Sequence, residues 1–246
     1  MTLSFLSSEA TVHQSPPTAP SPAPPPVATG LLREWRLPLQ VVRAVARAPQ
    51  LARVPRGGGR QVIDIPGWKA PEASMAPLRA YLRWLGYDAS GWGLGVNTGD
   101  PERDAPILSE RVAALFDQTG EKTALVGWSL GGVIARETAR AVPHAVSRVI
   151  TYGTPAIGGP TYTVGADSYG QAESSRIRVA IEDLDRDNPI QVPITAIFTR
   201  RDSIVDWAAC IDRASAEVEH VEVRSTHTGM GLDPDVWEIV ATRLAR

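Results

Sequence analysis

Residues 124–141 read ALVGWSLGGVIARETARA. A short apolar run, Ala124 to Val126, leads into Gly127-Trp128-Ser129-Leu130-Gly131-Gly132, and helical spacing follows at once. The segment Gly127 to Gly131 fits G-x-S-x-G, a short pattern that carries weight only between a strand and a helix, which is its setting here. So sharp a strand-to-helix turn forces the serine toward strained backbone angles and crowds the residues two places to either side. Small residues at Gly127 and Gly131 relieve that crowding. Ser129 then lies at a helix N-terminus, where N–H groups and the dipole favour developing negative charge. The alternative is a plain glycine-rich turn that happens to contain a serine.

The surrounding chain decides the architecture. From Gly57 onward, short apolar runs alternate with amphipathic segments. Strands are expected in 61–68, 88–94, 123–129, 146–155, 191–202 and 220–229, with helices in 75–87, 107–120, 130–142 and 233–246. Such alternation means crossover connections, hence an α/β fold whose central sheet is mostly parallel and covered by helices on both faces. The interval 156–190 breaks the rhythm with many polar and glycine residues and one helical stretch near 175–184. An insertion after a strand's carboxyl end sits over the binding crevice of an open α/β sheet, so a short cap is expected, with a disordered loop as the alternative.

The chain has 246 residues, 43% hydrophobic and 21% charged, with a formal net charge of −2. That suits one large globular domain, 58–246, and offers no basic surface for nucleic acid. No apolar run approaches the roughly 20 residues that span a bilayer. Cys210 is the single cysteine, so neither an intramolecular disulfide nor a thiolate zinc site is expected. His13, His144, His220 and His227 are too scattered for a metal cluster.

Residues 1–30 contain no Lys or Arg and therefore no signal-like n-region, so a cytoplasmic protein is expected. They are rich in Pro, Ala and Ser and read as a disordered, PPII-leaning tail, a plain spacer or a proline-recognition ligand. Residues 31–57 form a basic arm with helical spacing broken at Pro38 and Pro49. It reads as a helical arm packed on the domain with its arginines in water; peripheral membrane contact is the other reading.

A serine hydroxyl needs a base to take its proton. His13 lies in the tail, His144 follows the helix after Ser129, and His220 sits inside a strand pattern. His227, in the loop STHTGMG after the last strand, is at the sheet edge expected to hold Ser129. The base needs a carboxylate to hold its tautomer. Asp202 follows the strand ITAIFTR directly, and Asp206 is its rival four residues on. Two donors must meet the oxyanion of acyl transfer. The backbone N–H of Leu130 is one, and that of Trp68, in the turn Pro66-Gly67-Trp68, is the other.

The stretches IDIPGW, PLRAYLRWLGYDASGWGLGVNTG, ALVGWSLGGVIARETA, VITYGTP, IFTRRDSIVDW and THTGMGLDPDVWEIVATRLA resemble the α/β-hydrolase superfamily, more narrowly bacterial lipase- or esterase-like serine hydrolases. They cover most of 58–246. The order Ser129, Asp202, His227 matches that group. The acid motif departs from it, with Asp202-Ser203 where related sequences often have Asp-Gly. The resemblance implies hydrolysis of carboxylic esters of an acyl or lipid type, with no organic cofactor and no metal. An acyltransferase with the same triad and a non-catalytic binding protein are the alternatives. GWGLGVNTG (91–99) fails G-x-G-x-x-G in either register and reads as a loop at the site's edge, with Asn97 a candidate substrate contact. Trp68, Trp92, Trp128 and Trp207 are candidates to line an acyl pocket or to pack in the core.

Overall fold

A computed structural model describes residues 10–13, 15–23 and 37–246. Most of the expected tail, and residues 31–36 of the arm, lie outside the described residues.

In chain order the strands are β1 (Thr11–His13), β2 (Gln61–Ile65), β3 (Asp88–Gly91), β4 (Thr123–Trp128), β5 (Val146–Tyr152), β6 (Ile194–Phe198) and β7 (Val218–Glu222). The helices are α1 (Leu37–Ala46), α2 (Ala48–Leu51), α3 (Ala76–Trp84), α4 (Pro101–Thr119), α5 (Leu130–Ala141), α6 (Ala166–Tyr169), α7 (Gln171–Asp187) and α8 (Pro234–Leu244). The seven strands form one sheet in the order β1-β7-β6-β5-β4-β2-β3, in which β1 alone is antiparallel. The expected mostly parallel sheet is present.

The central strands are buried on both faces, so they read as continuous apolar runs. Ala124 and Val126 of β4 join Leu78, Leu82, Val236 and Val240 under α3 and α8. Leu125 faces the other way, with Leu108, Val112 and Ile134 of α4 and α5. The chain first runs outward from β2 to β3, then returns to the far side of β2 as β4. This reversal opens a crevice at the carboxyl ends of β2 and β4, the place where open α/β sheets bind ligands.

Three expectations about the N-terminus need correction. Thr11–His13 is an edge strand rather than part of a structureless tail, with Thr11, Val12 and His13 opposite Glu222, Val221 and His220. Without it the N–H and C=O groups of β7 would form the open edge of the sheet. The arm's arginines are not all in water. Arg43 bonds Asp233 at 3.1 Å and Asp235 at 2.7 Å, and Arg47, 2% exposed, pairs with Asp235 and Glu238. Asp233 and Asp235, at the start of α8, are themselves buried and require counter-charge. Pro38 does not break a helix. It is the second residue of α1, and a first turn tolerates proline. Among the described residues no helix is long and apolar enough to cross a membrane.

Candidate active site

Ser129 is the residue between β4 and α5, with φ 53° and ψ −123°. A non-glycine residue at positive φ is strained and persists only when its surroundings hold it there. Its N–H donates to the carbonyl of Tyr152 at 2.9 Å, which ties the turn to β5. The neighbouring glycines explain how the turn closes. A Cβ on Gly127 would strike the backbone of Gly131 and Gly132, and one on Gly131 would strike the carbonyls of Ile65 and Pro66. Gly132 faces the Thr154 side chain with equally little room, a constraint not anticipated from the sequence.

His227 follows β7 and is 3% exposed. Its Nδ1 lies 2.7 Å from Oδ2 of Asp202. The other carboxylate oxygen, Oδ1, accepts N–H bonds from Ile204 at 2.9 Å and Val205 at 2.8 Å. Both oxygens of Asp202 are therefore engaged, and the imidazole is held in one orientation. Ser203 takes the place of glycine without strain, because Lys69 and Ser129 are the described non-glycine residues at positive φ. Asp206 has another task. It caps the 3-10 turn Trp207–Cys210 by accepting from the Ala208 N–H at 3.1 Å, and it accepts from the Ala23 N–H at 2.7 Å. The loops of acid and histidine are joined by Thr199, whose hydroxyl donates to the Ser225 carbonyl at 2.9 Å.

The other histidines stand elsewhere. His13 and His220 are opposite each other in β1 and β7, and His144 packs edge-on against Phe116. Burial holds the imidazole of His220 below its ordinary value. Cys210 is buried, and desolvation with the nearby Asp202 and Asp206 pushes its thiol up.

Ser129 and His227 line one cavity of about 220 Å³ together with Trp68 and Leu130. Trp128 also borders it and packs its ring 5.7 Å from that of His227. The turn after β2 passes close to the serine, since a Cβ on Gly67 would lie 3.3 Å from Ser129 Cβ. Asn97 holds that turn in place. It is completely buried, and its amide donates to the Pro66 carbonyl at 2.8 Å. Its own carbonyl accepts from the Lys69 N–H at 2.7 Å, and its N–H donates to Ala70 at 3.1 Å. Asn97 is thus a support for the loop, a different task from the substrate contact for which it was a candidate. Trp92 is a core residue, and Trp207 stacks between Phe198 and Arg200, so of the four tryptophans only Trp68 and Trp128 reach the cavity.

The interval 156–190 is ordered as a 3-10 turn, Gly159–Tyr162, followed by α6 and α7. Pro160 and residues 163–165 form a wall of the cavity. Val164 donates its N–H to the Ile204 carbonyl at 2.9 Å, fastening this segment to the loop of Asp202. Sequence reading also missed the arm's part in the site: Gln40 of α1 donates to the Ser225 hydroxyl at 3.4 Å, beside the histidine loop. Gln40 lies in no motif, so no local signal marks it; Asn97 stands out in GWGLGVNTG, but nothing local marks its bond to the Pro66 carbonyl. Among the described residues no group of three or more His, Cys, Asp or Glu side chains is placed to hold a metal ion.

Comparison with known proteins agrees with this architecture. Residues 66–163 match a family described as alpha/beta hydrolase. The pimeloyl-[acyl-carrier protein] methyl ester esterase of Aliivibrio salmonicida is 36% identical over 99 residues, 39% of this chain and 36% of that protein. Its counterpart in Aromatoleum aromaticum is 33% identical over 93 residues, 38% and 36% of the two chains. The matched region thus spans little more than a third of these relatives. Among solved structures, one from a study of the metagenome-derived lipolytic enzymes LipS and LipT superposes with a TM-score of 0.56 at 16% identity, covering 77% of this chain and 93% of that one. A lipase-esterase related protein from Clostridium acetobutylicum gives a TM-score of 0.56 at 12% identity, covering 78% and 96%.

Proposed function

We propose, from the α/β-hydrolase fold that this chain has, that it hydrolyses carboxylic esters through an acyl-enzyme on Ser129. The observation that carries this reading is the 2.7 Å bond to Asp202 made by His227, which lines the same cavity as Ser129. With Nδ1 committed to the carboxylate, Nε2 is the ring nitrogen available as base. It takes the hydroxyl proton as Ser129 Oγ attacks the ester carbon. The tetrahedral oxyanion is met by the N–H groups of Leu130 and Trp68. Collapse releases the alcohol, which leaves with the proton held by His227. A water molecule then attacks the acyl carbon, giving its proton to His227, and the carboxylic acid departs as Oγ regains that proton. Asp202 orients the imidazole and steadies the imidazolium each time it forms.

The partial match to relatives named as methyl ester esterases supports ester chemistry at this site. The test is turnover of p-nitrophenyl butyrate together with labelling by a fluorophosphonate. Ser129→Ala is expected to lower turnover by at least about 10³-fold and to abolish the label. Undiminished turnover, or an adduct mapped to another residue, overturns the reading.

A further inference from the structure

Leu130 and Pro160 line not only the cavity beside Ser129 but also a second cleft of about 760 Å³. One wall of the cleft is a face of α5. Leu130, Val133, Glu137 and Ala141 follow one another there at spacings of three or four residues, over about 16 Å of helix. The facing wall is α7, through Ile177, Ala180, Ile181 and Leu184. Gly159 allows the preceding turn to sit against α7, since a Cβ there would lie 2.8 Å from Ile181 Cδ1. The walls are mainly apolar, and the volume is typical of a site for a small organic ligand.

The charged residues of the cleft are of nearly one sign. Asp100, Glu102, Glu110, Glu137 and Glu173 are acidic and Arg176 alone is basic. Arg176 already pairs with Glu173 at 2.6 Å and lies 4.0 Å from Glu102.

We propose that this cleft holds the acyl chain of the ester that reacts at Ser129, and that it selects uncharged chains over chains ending in a carboxylate. The inference rests on the hydrolase reading and extends it to substrate class. A cavity of 220 Å³ gives little room beyond the reacting ester group, and the shared Leu130 and Pro160 make the larger cleft its continuation. Chain methylenes gain by leaving water against Val133, Ile177 and Ile181. A terminal carboxylate would meet these like charges at the open rim of the cleft, where Glu102 is 83% exposed and Arg176 offsets only part of the acidic charge.

The experiment compares kcat/KM for p-nitrophenyl acetate, octanoate and dodecanoate and for the mono-p-nitrophenyl ester of octanedioic acid. The octanoate ester is expected to exceed the octanedioate ester at least tenfold. Ile181→Trp is expected to lower the octanoate-to-acetate ratio at least tenfold, and Ile181→Ala to shift preference toward dodecanoate. Joint replacement of Glu102 and Glu173 by Gln is expected to raise the octanedioate ester about tenfold relative to octanoate. Calorimetric binding of methyl octanoate to the Ser129→Ala protein supplies a readout independent of turnover, expected to weaken at least fivefold with Ile181→Trp. Equal use of the octanoate and octanedioate esters, or ratios and affinity indifferent to both Ile181 variants, overturns the assignment. Absence of all ester turnover with Ile181-dependent binding intact would reject the hydrolase reading and leave the cleft assigned.

Discussion

Asp202 and Asp206 stand four residues apart in one loop, and their hydrogen bonds separate them. The first gives one oxygen to His227 and the other to two backbone N–H groups. The second caps a short turn and meets the backbone of Ala23. Asp202→Asn is therefore expected to lower kcat by about 10⁴, because the amide cannot hold the imidazole tautomer. Asp206→Ala removes a cap and is expected to cost about 1 kcal/mol of stability while kcat stays within twofold. Steady-state kinetics and urea unfolding of the two variants check the assignment. At this scale much of the candidate site was legible in the chain: Ser129 from its glycines, His227 by elimination, and Asp202 from its place after a strand. The supporting role of Asn97 was not, because a buried amide that pins a loop from about thirty residues away leaves no periodic or compositional mark of that task.

The strand-turn-helix unit from β4 to α5 was legible because its requirements are local. Its glycines lie where the turn brings backbone against backbone. Gly131→Ala would press a methyl group into the carbonyls of Ile65 and Pro66, which belong to the neighbouring strand and turn and have little freedom to yield. The expected loss is about 3 kcal/mol by urea unfolding. Gly231→Ala meets nothing within 4 Å and is expected to change stability by less than about 0.5 kcal/mol. Strand β1 illustrates the opposite case. Three residues beside a proline-rich segment pair with β7, and although two of them are β-branched, so short a run does not announce a strand. Their pairing follows from an edge that only the folded sheet creates. The segment 156–190 was legible as an insertion, but its seat between the loop of Asp202 and α5 depended on contacts with both.

Across the whole molecule, buried ion pairs join parts of the chain that are far apart in sequence. Arg136 of α5 is bonded to Asp212, and Arg140 to Asp185 of α7 at 2.6 Å. Burial alone would push the Asp212 carboxyl up, but the Arg136 charge and hydrogen bonds from Arg136 and Ser215 outweigh it and hold it well below the ordinary 3.8. The folded state thus binds this proton less readily than the unfolded chain, so its stabilisation is complete above about pH 4 and is lost as pH falls further. Asp64 has the opposite sign. Burial, only partly offset by Arg79, raises it to about 6, so its contribution is greatest below 3.8 and is lost as pH rises through about 6. Asp212→Asn is expected to cost about 3 kcal/mol at pH 7, with a shallower decline below pH 4. Asp64→Asn is expected to remove the decline between pH 4 and 6. Urea unfolding across pH 3–8 measures both. The sequence by itself determined the alternation of strands and helices and the tight turn at Ser129, since these depend on residues within a few positions of one another. Tertiary structure alone decided what the second oxygen of Asp202 binds, where the arm's arginines are spent, what covers the β7 edge and which cleft adjoins Ser129. Those choices are made between groups far apart in sequence, 192 residues for Arg43 and Asp235, and burial turns such distant pairs from optional into necessary.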